Sequence, residues 1–370
     1  MKLLIHDYTP SEWERIAGEY KDCVVISGNG AIRPCIGCFC CWTEGEGECV
    51  FKDGYHTMCA LIHEAEEMII MTKYTYGGFS SLVKSVIDRC IGFVLPEFEV
   101  AYDEMHHQKR FLDDKLITVY FRGPALSETQ KENARSYVFA LSRNFRGMVK
   151  NVFFEECGAS DEPADLTDKE AKRSGILMVE CSPRGERSNT GVFLNELQKD
   201  LGCEVKRVRL TVNADLAEIT EDLRRAKTVI FGIPLYVDGI PAAALRLFEK
   251  VKEKNAGKGC RFYAVVNNGL YESRQNRNLL NMLKEFCAEN GLLYSGAAAI
   301  GAGEAMGVLM RKGKNALWPA HNAKASLAEL AKSILQEKTA DDIYADPFLF
   351  PRSVYIRIAN ANWQKLKKRG

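Results

Sequence analysis

The densest group of reactive side chains lies near the N-terminus. Seven of the thirteen cysteines fall between Cys23 and Cys59, and four of them are separated by two, two and seven residues. Those four are Cys35, Cys38, Cys41 and Cys49. Four thiolates at such intervals can bind a 4Fe–4S cluster or a structural zinc ion. The alternative is a set of reduced cysteines that are buried as small hydrophobic residues.

A second group combines hydroxyls with an arginine in the segment CSPRGERSNTG, at 181–191. The segment leaves an apolar run and enters a helical pattern, so helix N–H groups and the helix dipole favour a phosphate there. The candidate phosphate ligands are Ser182, Arg184, Ser188, Asn189 and Thr190. The alternative interpretation is an ordinary capped turn between a strand and a helix.

Two further loops follow later apolar runs. In IPLYVDGIP (233–241), proline and glycine tighten a turn that leaves a tyrosine and exposed main chain at the sheet edge, which suits a flat heteroaromatic ring. We expect this ring to be framed by Pro234, Leu235, Tyr236 and Val237. In VNNGLYES (266–273), the residues expected to close its far edge are Asn267, Asn268 and Gly269. Tyr271 or Glu272 is a further candidate for the border of the ring.

Two adjacent histidines, His106 and His107, adjoin Asp103 and Glu104. The pattern suggests a metal site only loosely, and we interpret the stretch as solvated. No nucleotide-binding glycine motif of the G-x-G-x-x-G or Walker type occurs in the sequence.

The clearest secondary-structure pattern runs from Gly175 to about Gly303, where β-branched runs alternate with amphipathic helical stretches. The predicted strands are Ile176–Cys181, Val205–Leu210, Thr228–Ile233, Phe262–Val266 and Leu293–Ile300. The predicted helices are Ser188–Leu201, Asp215–Ala226, Pro241–Glu253 and Ser273–Asn290. This alternation predicts an α/β fold with a doubly wound parallel sheet, whose ligands bind beyond the carboxyl ends of the strands.

Residues 1–158 show a weaker version of the same alternation. The predicted strands are Lys2–His6, Cys23–Ser27, Met68–Thr72, Leu116–Phe121 and Val149–Glu155. The predicted helices are Thr57–Glu66, Ser80–Gly92 and Glu128–Phe145. Aligning MIIMTKYTYGG with TVIFGIPLYVDG, with a two-residue gap, pairs Tyr76 with Tyr236 and supports an internal duplication with a period of about 160 residues.

The predicted domains are therefore 1–158, with the cysteine cluster, and 175–338, joined by a linker at 159–174 and followed by a C-terminal extension at 339–370. A further helix is predicted over Ala323–Glu337. In the extension, Val354, Ile358, Ala361 and Leu366 recur at near-helical spacing. We expect this helix to pack against the protein's own domains rather than on a membrane surface.

Charge and composition narrow the classes of partner. Fifty basic and 49 acidic residues leave a net charge of +1, which disfavours nucleic-acid binding. No apolar run approaches the roughly 20 residues that span a bilayer, and the polar turn after Ile5 is unlike a secretory signal. We expect a cytoplasmic location.

These segments resemble flavodoxin-like, NAD(P)H-dependent FMN reductases, including the iron–sulfur flavoproteins. CSPRGERSNT is similar to the family's GSPR…(S/N)xT loop, with Cys181 in place of glycine, and PLYVDG is similar to its PxYxxG loop. CIGCFCCWTEGEGECVFKDG (Cys35–Gly54) resembles its CIGCFxCW…GxCxxxD segment, and FPRSVYIRIANANW resembles a C-terminal extension of some members. The resemblance implies two tandem flavodoxin-like domains, each with a five-stranded parallel sheet.

The motifs are divided unequally between the two halves. Where the first half should carry a phosphate loop it reads HDYTPSEWER (6–15), and the second half has no cysteine cluster. Because family members commonly pair as dimers, the resemblance implies a fused pseudo-dimer with one FMN in the C-terminal domain; further oligomerisation stays open. It implies an oxidoreductase that passes reducing equivalents from NAD(P)H to a small-molecule electron acceptor. The alternative is an electron-transfer module, with or without a 4Fe–4S cluster, that is reduced by a redox partner protein.

Overall fold

The structure, a computed structural model, describes residues 1–28, 32–157, 173–211, 213–313 and 318–368. The chain divides into two compact units: Met1–Ser160 together with Ile356–Gly370, and Asp161–Tyr355. Most of the predicted linker at 159–174 lies outside the described residues. Within the described ranges, no helix is long and apolar enough to cross a membrane.

The first unit is built on a parallel sheet. The strands of this unit are β1 (Lys2–His6), β2 (Cys23–Ser27), β3 (Glu67–Lys73), β4 (Val94–Ala101), β5 (Glu104–Lys109), β6 (Leu116–Gly123) and β7 (Met148–Glu156). Strands β4 and β5 form a separate antiparallel hairpin. Its helices are α1 (Pro10–Ile16), α2 (Cys40–Thr43), α3 (Met58–Glu64), α4 (Ser81–Asp88) and α5 (Glu128–Asn144). Among the residues described, the sheet has five strands in the order β2-β1-β3-β6-β7, which is the flavodoxin-like order.

The second unit repeats this order and extends it. Its strands are β8 (Ile176–Glu180), β9 (Lys206–Arg209), β10 (Thr228–Pro234), β11 (Arg261–Asn267), β12 (Leu293–Ile300) and β13 (Ile343–Ala345). Its helices are α6 (Asn189–Leu201), α7 (Leu216–Arg225), α8 (Ala242–Glu253), α9 (Arg277–Glu289), α10 (Gly303–Arg311) and α11 (His321–Leu335), and α12 (Arg352–Lys367) begins in this unit. The sheet order is β13-β12-β11-β10-β8-β9.

The expectation of five strands in each sheet is therefore corrected for the second unit, which has six in the part of the chain that the structure describes. The additional strand, β13, comes from the C-terminal extension and pairs in parallel with the end of β12. It has three residues, so the sequence offers too short an alternation to predict it.

The two sheets are covered to different extents. In the second unit, α6 buries Phe193, Leu194 and Leu197 completely. In the first unit, α1 follows β1 as α6 follows β8, but it has seven residues and none of them is buried. Its Trp13 and Ile16 are half-buried against Leu4, Ile69 and Met71.

The hairpin of β4 and β5 corrects the interpretation of His106 and His107 as solvated. Tyr102 and Asp103 form its turn with φ angles of 54° and 58°, the left-handed conformation of tight hairpin turns. The neighbouring residues His106 and His107 point to opposite faces of β5. His106 is 2% exposed, and its Nδ1 forms a hydrogen bond of 2.9 Å with Asn144 Oδ1. His107 lies 4.7 Å from the Trp42 ring, and burial lowers its pKa to about 4.

Candidate functional site

The three loops predicted to carry the chemistry of the second unit meet at one residue. Asn267 ends β11, and its Oδ1 accepts a 2.7 Å hydrogen bond from the Thr190 hydroxyl. Its backbone carbonyl accepts another, also 2.7 Å, from the Leu235 N–H. The structure thus brings the first, second and third loops together at the carboxyl edge of the sheet, as parallel strand order requires.

The first loop, at 181–191, ends at the N-terminus of α6. Ser188 caps this helix, and its hydroxyl oxygen accepts a 3.0 Å hydrogen bond from the Gly191 N–H. The N–H groups of Asn189 and Thr190 belong to the first turn and have no acceptor within the helix. The first turn contains no acidic residue, so the helix dipole and these N–H groups favour an anion.

The hydroxyls of this loop have different tasks. Thr190 is 1% exposed and donates its only hydroxyl proton to Asn267, so it joins two loops. Ser188 accepts from the backbone and keeps its own proton for another partner. Arg184 is partly exposed and its guanidinium lies 3.8 Å from the Glu304 carboxylate, and Arg187 of the same loop is exposed, so the loop presents two accessible positive charges.

Two glycines let helices pack closely around this loop. A Cβ at Gly307 of α10 would lie 2.4 Å from Asn189 Oδ1, and a Cβ at Gly191 would lie 2.6 Å from Glu180 Oε1. Glu180 is fully buried and pairs through Oε2 with Arg207 at 2.8 Å. Neither the contact between Glu180 and Gly191 nor that between α10 and Asn189 could be inferred from the sequence, because Glu180 and Gly307 lie outside the segment 181–191.

The second loop contains a tight turn after Pro234. Tyr236 and Gly239 exchange two backbone hydrogen bonds, of 3.1 and 3.0 Å, around Val237 and Asp238. Val237 and Asp238 have φ angles of 39° and 61°, which is the backbone of a type I′ turn. Leu235, Tyr236 and Val237 are partly exposed at this edge.

The third loop combines an exposed tip with buried amides. Gly269 is exposed, whereas Asn268 is 2% exposed and donates from Nδ2 to the Glu272 carbonyl at 3.0 Å. Among the described residues, Asn268 Oδ1 is a buried acceptor without a hydrogen-bond partner. Buried acceptors are normally satisfied, so this atom fits a ligand that supplies an N–H or O–H donor.

Tyr271 and Glu272, the further candidates for the ring border, bind the C-terminal extension. The Tyr271 hydroxyl donates to the Phe350 carbonyl at 2.6 Å, and Glu272 pairs with Arg352 at 2.7 Å. The sequence analysis did not assign Arg352 to the site, because eighty residues separate the two partners.

The corresponding edge of the first unit contains a buried ion pair. Asp7 accepts from Arg122 at 2.7 Å and from the Lys73 N–H at 2.9 Å. The two side chains are 1% and 6% exposed, and the Arg122 guanidinium lies 3.6 Å from the Tyr8 ring centre. The helix that follows, α1, starts with a capping box in which Glu12 accepts from the backbone N–H of Thr9.

The cysteine segment of the first unit surrounds a small cavity. Its walls include all four candidate ligands, Cys35, Cys38, Cys41 and Cys49, together with Arg89. No three or more His, Cys, Asp or Glu side chains in the described ranges are arranged to hold a metal ion. The structure therefore brings the four cysteines to one cavity without forming a metal-binding group.

Burial keeps several of these thiols protonated. It raises the pKa of Cys41 to about 12 and that of Cys35 further, against a usual value near 9. Burial also raises the pKa of Cys40 to about 11, and a hydrogen bond with the neighbouring Cys38 adds to this effect. Burial therefore disfavours the thiolate forms of Cys35, Cys40 and Cys41, and a cation in the cavity would be needed to stabilise them.

Two contacts hold the cysteine segment in place. Trp42 donates from its indole N–H to the carbonyls of Ile91 and Val94, both at 2.9 Å, and so anchors the segment. Arg89 has no exposed side-chain surface and forms a bidentate pair with Asp53, at 2.6 and 2.8 Å. This pairing lowers the pKa of Asp53.

Comparisons with known proteins give structural similarity alone. No family model and no curated protein matches the chain. Among solved structures, a flavodoxin, WrbA-like protein from Agrobacterium tumefaciens is 16% identical, with 45% of this chain and 99% of that chain covered and a TM-score of 0.33. An azoreductase from Bacillus anthracis str. Sterne is 14% identical over 44% and 99% of the two chains, with a TM-score of 0.32.

A third structure spans more of the chain. Rubredoxin oxygen:oxidoreductase from Desulfovibrio gigas is 15% identical, covers 78% of this chain and 79% of its own, and has a TM-score of 0.33. At these identities and scores, the three structures resemble this chain in fold alone.

Proposed function

We propose that the protein is an FMN-dependent NAD(P)H oxidoreductase of the flavin or quinone reductase type, with one FMN in the second unit and the first unit as its pseudo-dimer partner. The observation that carries the proposal is the meeting of three loops at Asn267, which is bonded to Thr190 and to Leu235. One loop offers features for a phosphate, the second an edge for a flat ring, and the third amides for polar ring atoms.

The residues of the site fit this cofactor. The first-turn N–H groups of α6, the free hydroxyl proton of Ser188 and the accessible Arg184 guanidinium suit a dianionic phosphate. The unpaired Asn268 Oδ1 suits a donor such as a ring imide or a ribityl hydroxyl. Ser182 and Asn189 would complete the phosphate loop, and Pro234, Leu235, Tyr236 and Val237 would frame the ring.

These residues bind and orient rather than transfer protons. Bound FMN would supply the hydride chemistry between NAD(P)H and an electron acceptor, so the protein needs few acid–base groups of its own. The loops would exclude water from one side of the ring, and Gly269, exposed at the loop tip, leaves room near its border.

The proposal is tested with the purified full-length chain. Addition of FMN to flavin-free protein should quench flavin fluorescence, and the loaded protein should oxidise NADH or NADPH when a quinone or free flavin is supplied. Protein that binds no FMN at micromolar concentration contradicts the proposal. Protein that binds FMN but is reduced only by a partner protein favours the alternative function.

That alternative is an electron-transfer module, with or without a 4Fe–4S cluster. The observation in its favour is the cavity shared by Cys35, Cys38, Cys41 and Cys49. Anaerobic purification followed by iron and sulfide analysis tests it, with Cys41→Ser as the variant and exposed Cys203→Ser as the matched control. Iron that is present in the control and lost from Cys41→Ser supports a cluster, and iron-free wild-type protein contradicts one.

A further inference from the structure

The C-terminal extension runs along the third loop of the second unit. After β13, residues 346–355 bind four of the five consecutive residues from Gly269 to Ser273. The contacts are Ser273 N–H to Asp346 Oδ1 at 2.6 Å, Tyr271 hydroxyl to the Phe350 carbonyl at 2.6 Å, Arg352 to Glu272 Oε1 at 2.7 Å, and Tyr355 hydroxyl to the Gly269 carbonyl at 2.8 Å. We name residues 346–355 the clasp.

Two of the residues that form these contacts, Tyr355 and Glu272, are buried. Tyr355 is 5% exposed, and its ring meets the Tyr271 ring edge-on at 5.9 Å. Burial also raises the pKa of Tyr355, so its hydroxyl remains a donor to Gly269. Glu272 is 7% exposed and is held by Arg352 on one oxygen and by Gln275 on the other, at 3.0 Å.

The same loop, Gly269–Ser273, and the preceding Asn268 also bond to the start of α10 and the turn before it. Gly303 N–H donates to the Asn268 carbonyl at 2.7 Å, and Ala302 N–H donates to the Leu270 carbonyl. The backbone approaches so closely there that a Cβ at Gly301 would lie 2.3 Å from the Tyr271 carbonyl oxygen. The loop is thus bonded both to this turn and to the clasp, and the bond to Gly269 at the exposed tip comes from Tyr355 of the clasp.

We propose that the clasp is a positioning element of the cofactor site, which fixes the Gly269–Ser273 loop so that the Asn268 amide and the Gly269 tip meet the border of the bound ring. This inference rests on the proposed FMN site. Tyr355 and Asp346 are its positioning residues, since each bonds to the loop backbone and neither belongs to the predicted binding residues. Without these hydrogen bonds, the loop would spend part of its time away from the ring. FMN affinity would then fall, because binding would have to supply the free energy needed to order the loop.

The test measures FMN affinity and the visible circular dichroism of bound flavin. Tyr355→Phe removes one hydroxyl, and Asp346→Ala removes one exposed acceptor. Each should weaken FMN binding about three- to ten-fold, as the loss of one hydrogen bond allows. The matched controls are Tyr344→Phe, which makes the same change at a tyrosine that is 43% exposed, and Asp346→Asn, which keeps the acceptor oxygen.

The outcomes separate the clasp from the site itself. The clasp predicts weaker binding and an altered flavin signal in Tyr355→Phe and Asp346→Ala, with wild-type values in both controls. Wild-type binding and spectra in all four variants would overturn the clasp and leave the FMN site standing. A wild-type chain that binds no FMN would overturn the proposed function, and the clasp with it.

Discussion

In the first unit, Asp7 follows β1 at the position that Cys181 holds after β8 in the second. Both backbone N–H groups donate to the central strand of their sheet, to Met71 and to Gly232. Arg122 of β6 likewise stands where Asn267 stands in β11, since the two pair with the last residues of β3 and β10. An ion pair therefore occupies one edge, and a neutral amide the other.

The difference decides which edge can accept an anion. Asp7 presents a carboxylate whose partners are already Arg122 and the Lys73 N–H, so an added phosphate would meet a like charge. At the second edge the first turn of α6 carries no acid, and its N–H groups face outward from the helix start. In a repeated fold, two side chains can thus close one edge while the sheet stays intact.

The turn after the central strand is nearly the same in the two units. Thr75 and Gly78 exchange two backbone hydrogen bonds, as Tyr236 and Gly239 do. Glu67 to Thr228 and Gly78 to Gly239 give a constant offset of 161 residues without a gap. The predicted pairing of Tyr76 with Tyr236 is therefore wrong by one position, and Tyr236 corresponds to Thr75.

Breaking the ion pair of the first edge should have the largest effect. Arg122→Leu leaves the Asp7 carboxylate buried without its cation, which should lower the free energy of unfolding by about 3 to 5 kcal/mol. Urea unfolding followed by circular dichroism measures this. Asp7→Asn combined with Arg122→Leu should recover part of the loss, and a double variant no more stable than Arg122→Leu alone would contradict the pairing.

Reversing the charge of the second edge should affect cofactor binding next most strongly. Arg184→Glu replaces one of the two accessible guanidinium groups of the phosphate loop and should weaken FMN binding about 100-fold. Arg187→Glu makes the same change in net charge at an exposed position three residues away, and should leave binding within about three-fold of wild type. Equal losses in both variants would mean that net charge, and not the Arg184 guanidinium itself, sets the affinity.

Each edge also contains a threonine whose hydroxyl bonds to the residue that distinguishes that edge, Asn267 or Asp7. Thr190→Val leaves Asn267 Oδ1 without its donor, and Thr72→Val removes a 3.1 Å bond to Asp7. Each should lower the free energy of unfolding by about 1 to 2 kcal/mol. Only Thr190→Val should also weaken FMN binding, by about ten-fold; a similar loss in Thr72→Val would count against a single site.

The smallest expected effect concerns pH. Burial lowers the pKa of His6 below its usual value of 6.5, with Asp7 opposing and Arg122 reinforcing this shift. As pH falls below 6.5 the unfolded chain therefore binds the proton before the folded one, and the free energy of unfolding declines. His6→Phe should make that decline shallower, whereas the exposed His321→Phe should not; identical pH profiles for wild type and His6→Phe would refute this.

Much of the sheet architecture could be predicted from the sequence. The bounds of β1 and β2 are those predicted, and β10 extends one residue beyond the prediction, to Pro234. Buried parallel strands are continuous β-branched runs between turn residues, so they are visible locally. The hairpin of β4 and β5 was missed because its turn uses Tyr102 and Asp103 rather than glycine or asparagine.

The last helix buries a different face from the one that its apolar spacing marks. The spacing of Val354, Ile358, Ala361 and Leu366 implied the packed face, but Ile358 and Leu366 are 49% and 46% exposed. The buried residues of α12 include Tyr355 and Trp363, and Trp363 meets the Trp42 ring edge-on at 5.4 Å. The helix packs through aromatic rings and single hydrogen bonds, and such contacts leave no broad apolar period in the sequence.

The candidate site was partly accessible to sequence reasoning. Its three loops are local motifs that follow strands, so parallel strand order was sufficient to predict that they converge. Contacts between distant segments were not accessible. Arg122 lies 115 residues from Asp7, and Tyr355 lies 86 residues from Gly269. A single sequence reports periodicity along the chain and contains no signal that pairs such residues.

The number of FMN molecules bound by one chain tests most directly whether only the second unit binds the cofactor. Equilibrium titration of flavin-free protein at concentrations well above the dissociation constant, with protein quantified independently, measures it. The ion pair of the first edge and the three convergent loops of the second predict one FMN per chain, bound about 100-fold more weakly by Arg184→Glu and within about three-fold of wild type by Arg187→Glu. Two FMN per chain, or none, would contradict the account.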